Sequence, residues 1–103
     1  MDRTALITDR PFDVQILANG HDVTSRSPIA SVVYRRDGTG TRTLHDGRTV
    51  EGRWRFVDAA QLQIEVEGPE GPSRWVVVEL SDVVYRKVNL DTGVEFIHRP
   101  KLT

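Results

Sequence analysis

The residues of this chain best suited to chemistry are hydroxyls and an imidazole set among aromatic rings: Tyr34, Thr41, Thr43, Trp54, Tyr85 and His98. On strands that alternate inward and outward, these side chains could line a barrel interior. Hydroxyls and an imidazole would there orient a small ligand against apolar faces. His98 suits a ligand contact or a proton carrier, because imidazole titrates near neutrality. The plainer reading is that threonine and aromatic residues are good strand formers and that Trp54 fills the core. Signatures of catalysis are missing: there is no nucleophile elbow, no HExxH and no phosphate-cradling glycine loop. No catalytic residue is assigned, and the balance lies against an enzyme. The three histidines, His21, His45 and His98, have no metal-like spacing, and cysteine is absent. Thiolate nucleophiles, disulfides and thiolate metal sites are therefore excluded, and neither a metal nor another cofactor is expected.

The chain has 103 residues, 14 basic and 15 acidic, for a net charge of -1. That length fits one domain spanning residues 1–103. Balanced charge argues against a nucleic-acid partner, which calls for a basic excess. Arg35-Arg36 and Arg86-Lys87 read as parts of a mixed solvated surface. No apolar run approaches a membrane span, and Ala5-Leu6-Ile7 after Met1-Asp2-Arg3-Thr4 is too short for a secretory signal. A cytoplasmic location is expected, with no membrane partner.

Period-two alternation supplies the elements that must position these groups. In Val50-Glu51-Gly52-Arg53-Trp54-Arg55-Phe56 apolar or small residues alternate with charged ones, and Leu62 to Glu67 repeats the pattern. Phe12–Leu17, Ile29–Arg36, Thr39–His45, Ser73–Leu80, Val83–Val88 and Val94–Arg99 complete the series. Asp37-Gly38 and Asp46-Gly47 are favoured hairpin dipeptides. Gly68-Pro69-Glu70-Gly71-Pro72 reads as a longer loop, since neither proline can donate to a ladder. About eight strands with short links predict an all-β, antiparallel up-and-down meander, closed or nearly closed as a barrel.

Two-residue turns at both Asp-Gly dipeptides would fix register. Val32 would face Thr43, Tyr34 would face Thr41, Thr43 would face Val50 and Thr41 would face Gly52, all on the side of Trp54 and Phe56. The outer face would pair Arg42 with Glu51 and Arg53 with Glu65. For the last three strands two registers compete. One turns Val76, Val78, Leu80, Val83, Tyr85, Val94 and Phe96 inward; the other turns Trp75, Val77, Val84, Val88 and Ile97 inward, together with Glu79, Arg86, Glu95 and Arg99. Burying four charges is the costlier option, so the first is expected. It makes Tyr85 and His98 interior neighbours. It also leaves Trp75, Val77, Val84 and Ile97 as an outer apolar patch of the kind that marks a partner surface.

An initial strand running into Ala18-Asn19-Gly20-His21-Asp22-Val23-Thr24 is followed by a strand entering Asp37-Gly38-Thr39-Gly40-Thr41 and a later one carrying Glu51-Gly52-Arg53-Trp54. With Leu62-Gln63-Ile64, the strand from Arg74 to Leu80, and Tyr85, this series resembles the small bacterial lipocalin-like domains of the calycin group. The resemblance implies a ligand-binding β-barrel. Two functions follow from the whole reading. The first is a non-catalytic barrel holding a small, partly apolar ligand at Tyr34, Thr41, Thr43, Trp54, Tyr85 and His98. The alternative is a protein-interaction module or homodimer that uses the patch around Trp75.

Overall fold

The computed structural model describes residues 3–101; the outermost two residues of the expected 1–103 domain at each end lie outside the described residues. A four-residue helix, α1 (Thr4–Ile7), precedes nine strands: β1 (Pro11–Ala18), β2 (His21–Asp22), β3 (Ile29–Tyr34), β4 (Thr39–Leu44), β5 (Thr49–Phe56), β6 (Gln63–Gly68), β7 (Gly71–Leu80), β8 (Tyr85–Asn89) and β9 (Glu95–Pro100). All ladders between these strands are antiparallel, in the order β2-β1-β3-β4-β5-β6-β7-β8-β9. Pairing of β1 with β9 from Phe12–Pro100 to Leu17–Glu95 closes eight of the strands into a barrel, with β2 as a short extra. Closure leaves no long edge to template aggregation.

The core follows the alternation. Phe12, Val14 and Ile16 of β1, Val32 and Tyr34 of β3, Trp54 of β5, Ile64 and Val66 of β6, Trp75 and Val77 of β7 and Tyr85 of β8 form one buried cluster, joined by Ile7 of α1. β1 pairs with β3 only through Pro11–Val33 and Phe12–Val32. Beyond that point the chain after β2 satisfies the backbone of Ile16: its N–H donates to Thr24 Oγ1 (2.9 Å) and its carbonyl accepts from Val23 N–H (2.9 Å).

Both Asp-Gly hairpins are one residue longer than expected. Arg35 N–H bonds the Thr39 carbonyl (2.8 Å), and Leu44 N–H bonds the Arg48 carbonyl (2.8 Å). Each loop thus holds three residues, with Gly38 (φ 90°) and Gly47 (φ 89°) in the left-handed region. Asp37 accepts from Thr39 N–H (2.9 Å) and Asp46 from Arg48 N–H (3.0 Å), which anchors both loops. A one-residue slip turns a strand over. Val32 pairs with Arg42, Tyr34 with Gly40, Arg42 with Val50, and Gly40 with Gly52. Hence Arg42 lies on the inner face, whereas Thr41 and Thr43, expected inside, lie on the outer face. The two slips cancel across β4, so β3 and β5 keep the orientation expected of them. On the next hairpin the pairs are Arg53–Glu67 and Arg55–Glu65, a two-residue shift that keeps both charges outside.

The segment Gly68–Pro72 is a tight turn rather than a long loop: Gly68 pairs with Gly71, and Pro72 with Glu67. In such a hairpin the residue after the closing pair points its backbone nitrogen away from its partner strand. Pro72 therefore needs no donor, because the β7–β8 ladder ends at Trp75–Asn89.

Neither register expected for β7 is followed throughout. Val77 pairs with Lys87 but Glu79 pairs with Arg86, so Val78 is an extra, bulged residue. The bulge lets Trp75 and Val77 face inward without carrying Glu79 with them, and returns Leu80 to the core. Trp75 (7% exposed) and Val77 (5%) are therefore core residues, and Val78 (52%) and Val83 (66%) are exposed. Tyr85 pairs with His98 and both are fully buried, as the first register expected.

Candidate functional site

A cavity of about 270 Å³ opens inside the barrel, walled by Val32 and Tyr34, by Gly40 and Gly52, and by Trp54, Val66, Trp75 and Phe96. A Cβ on Gly52 would stand 2.6 Å from the Glu67 carbonyl oxygen, so β5 and β6 approach closely there. Both tryptophans belong to the wall, and their ring nitrogens are bonded elsewhere: Trp54 donates to the Arg35 carbonyl (2.8 Å) and Trp75 to Ser73 Oγ (2.8 Å). Their ring faces are thus held in place and left apolar.

Three cationic residues line this space, Lys87 from β8, Arg42 from β4 and Arg53 from β5, together with Glu51, Glu67 and Glu70. Lys87 is 2% exposed. Its ammonium lies 4.4 Å from the Trp75 ring centroid, 5.4 Å from Tyr34, and 5.8 Å from both Tyr85 and Phe96. These rings offset part of the cost of burying a charge. No carboxylate pairs with Lys87 among the described residues. Burial, and then the charge of Arg42, pull its pKa down from 10.5 to about 7. Arg42 bonds Glu70 of the β6–β7 turn (3.2 Å) and stays partly exposed.

Lys87 heads a buried chain of hydrogen bonds whose directions follow from its far end. His98 Nδ1 lies 3.1 Å from the Tyr85 carbonyl, which can only accept, so Nδ1 carries the proton. Nε2 must then accept, and the Tyr34 hydroxyl at 3.1 Å donates to it. The Tyr34 oxygen in turn accepts from Lys87 Nζ at 3.2 Å. Burial, helped by the Lys87 charge, holds the His98 pKa well below 6.5, which keeps the ring neutral. Burial raises the Tyr34 pKa, so its proton stays in place. His98 also stacks on Tyr85, with centroids 4.4 Å apart and planes at 17°.

The two tyrosines differ in one respect that experiment can read. Tyr34 joins two partners, whereas the Tyr85 hydroxyl is buried with no hydrogen-bond partner among the described residues. Tyr34→Phe is expected to cost about 1–3 kcal/mol by stranding His98 Nε2, while Tyr85→Phe leaves stability unchanged or raises it. Urea unfolding midpoints check both; equal losses would contradict the hydrogen-bond assignment.

The expected site residues divide accordingly. Tyr34 and Trp54 wall the cavity. Thr41 belongs to its wall, but its hydroxyl turns outward, accepting from Arg35 (2.7 Å) and donating to Glu51 (2.9 Å). Thr43 pairs with Thr49 on the outer ladder. Tyr85 and His98 lie behind Tyr34 rather than on the cavity wall. The apolar patch around Trp75 is not formed, because Trp75 and Val77 are inside. Val84 is half-buried, and Ile97, on the outer face, is buried between its ladder partners Gln15 and Arg86. Arg42, Lys87 and Phe96 were missed as site residues. Composition held one signal for Lys87: the chain has only two lysines against twelve arginines, and Lys87 stands two residues from the inward Tyr85.

Neither the protein-family models nor the curated proteins compared with this sequence give a match. Among solved structures, the chain is similar to a lipocalin-like protein from Bacteroides uniformis ATCC 8492, with a TM-score of 0.66 at 16% identity. The superposition covers 90% of this chain and 96% of that one. At that identity the likeness concerns the fold alone: this chain has the closed eight-strand antiparallel barrel of a lipocalin-like fold.

Proposed function

We propose that the barrel is a non-catalytic binding protein that takes a small, partly apolar ligand into the cavity between Trp54, Trp75 and Lys87. The observation that carries this reading is the composition of the cavity wall. Two tryptophans, Phe96, Val32 and Val66 offer apolar surface, and Tyr34, Lys87 and Arg42 supply a few convergent polar groups. That combination is the ordinary chemistry of a small-molecule site. With Trp75 and Val77 in the core, no observation favours the outer-patch reading.

Both tryptophans of the chain line the cavity, so an entering ligand must alter the emission of one or both. Titration with octan-1-ol is expected to give a saturable fluorescence change. Val50→Phe, which fills part of the wall, is expected to abolish it while leaving the fold intact. A non-saturable change, or an identical one in Val50→Phe, would sink the reading.

A further inference from the structure

We propose that Lys87 captures its ligand covalently, forming a reversible imine with the carbonyl carbon of a small, partly apolar aldehyde held in the cavity. The inference deepens the binding function proposed above and rests on it. Four placements support it. Lys87 is one of the residues lining the cavity and is 2% exposed, so it lies in the wall with little water around it. The nitrogen makes one side-chain hydrogen bond, to Tyr34, and has no carboxylate partner among the described residues. The surrounding wall of Trp54, Trp75, Val66 and Phe96 suits a hydrocarbon tail. Finally, the Tyr34 hydroxyl oxygen stands beside the reacting nitrogen and accepts its hydrogen bond, with the Tyr34 proton held by His98 Nε2.

An amine attacks a carbonyl only through its lone pair, so a lysine must be deprotonated to react. The charged and titratable groups facing Lys87 are Tyr34 from β3, Arg42 from β4, Tyr85 on its own strand and His98 from β9; Glu70 reaches the site only through its pair with Arg42. None of these is an anion at neutral pH except Glu70, which Arg42 already neutralises. Desolvation and the Arg42 charge therefore act together to release the Lys87 proton, the two devices that activate lysine nucleophiles.

The reaction balances without an oxidant or reductant. The Lys87 nitrogen lone pair forms a bond to the carbonyl carbon, and a proton passes from nitrogen to oxygen, giving a carbinolamine. The carbon–oxygen bond then breaks, the hydroxyl takes the remaining nitrogen proton and leaves as water, and the nitrogen forms the C=N bond. Hydrolysis runs the same steps backward and releases the aldehyde. The wall of tryptophan and phenylalanine limits that hydrolysis by limiting water.

Octanal with sodium cyanoborohydride reduces any imine to a stable secondary amine, which peptide mass spectrometry assigns to a residue. Lys101, on the surface beside Asp13 at 3.5 Å, is a built-in comparison. At pH 7.5 one octyl group is expected on Lys87, exceeding labelling of Lys101 by about tenfold or more, since each unit of pKa is worth tenfold in free amine. Lys87→Met is expected to lose that label. A protein that binds octan-1-ol but labels Lys87 no more than Lys101 overturns the imine alone. One that neither binds octan-1-ol nor labels Lys87 overturns the binding function as well.

Discussion

Trp75→Ala is expected to cost about 3–5 kcal/mol, the largest loss of any single truncation in β7. The indole is 7% exposed, lies on the core side of the bulge at Val78, and packs against Phe96 with ring centroids 4.8 Å apart. Its loss leaves a void beside the cavity and removes the ring nearest the Lys87 ammonium, at 4.4 Å. Three residues along the same strand, Val78→Ala is expected to change stability by no more than about 0.5 kcal/mol, because that side chain is 52% exposed. A domain of this size is stabilised by roughly 5–15 kcal/mol, so Trp75→Ala approaches the limit of folding. Urea denaturation of the two variants reads the register directly. A mild effect at Trp75, coupled to dissociation of a dimer, would instead restore the outer patch and overturn the bulge.

Stability is expected to rise with pH from neutrality to about pH 10, by roughly 4 kcal/mol, because of Lys87. In the unfolded chain Lys87 keeps its proton up to pH 10.5; in the barrel it releases it near pH 7. Between those values the unfolded state binds more protons, so raising the pH favours the folded state. Below pH 7 the charged amine is buried in full and the penalty is complete. His98 adds a separate loss in acid. Its folded pKa lies well below 6.5, so as the pH falls through 6.5 only the unfolded imidazole gains a proton. At the alkaline end Tyr34 and Tyr85, both raised above 10.0 by burial, reverse the trend, since unfolded tyrosines ionise there first. Lys87→Met is expected to flatten the rise above pH 7 and to keep the loss below pH 6.5. Urea midpoints across this range provide the test, and an unchanged slope in Lys87→Met would show that another group carries it.

What the sequence made legible, and what it hid, follows from how each residue's direction is decided. The strands, their antiparallel order and the inward side of Trp54 were readable because Val50–Phe56 and Leu62–Glu67 alternate strictly. That Tyr85 and His98 are interior neighbours was readable for another reason, the cost of burying Glu79, Arg86, Glu95 and Arg99 in the competing register. Arg42 was not. Its direction depends on whether each Asp-Gly dipeptide closes a loop of two residues or three, and both lengths use the same residues. Opposite charges at Arg42 and Glu51 made the wrong register attractive, although Arg42 is satisfied from the inner side by Glu70. Trp75 was hidden by the bulge: Val76-Val77-Val78 is apolar at every position and carries no parity, so nothing marks where the alternation breaks. Lys87 was taken for a surface cation because buried lysines without a carboxylate partner are rare. That rarity makes Lys87 the most informative residue of the site.

The surface charges are arranged as the ladder dictates and bear little on function. Glu65 lies between Arg55 (3.2 Å) and Arg74 (3.4 Å), and Arg86 between Glu79 (3.1 Å) and Glu95 (2.7 Å). Hydrogen bonding to Arg55 lowers the Glu65 pKa, and bonding to Glu95 raises that of Arg86. Such exposed pairs contribute little to stability and weaken further with salt. The chemistry that distinguishes this barrel from a merely filled one lies inside it.

Methyl-detected NMR during an octan-1-ol titration asks most directly whether the interior is a binding site. Saturable shifts at Val32, Val50 and Val66, which wall the cavity, with Val78 and Val83 unmoved on the outside, are the predicted result. Shifts confined to Val78 and Val83, or none at any of the five, would contradict it.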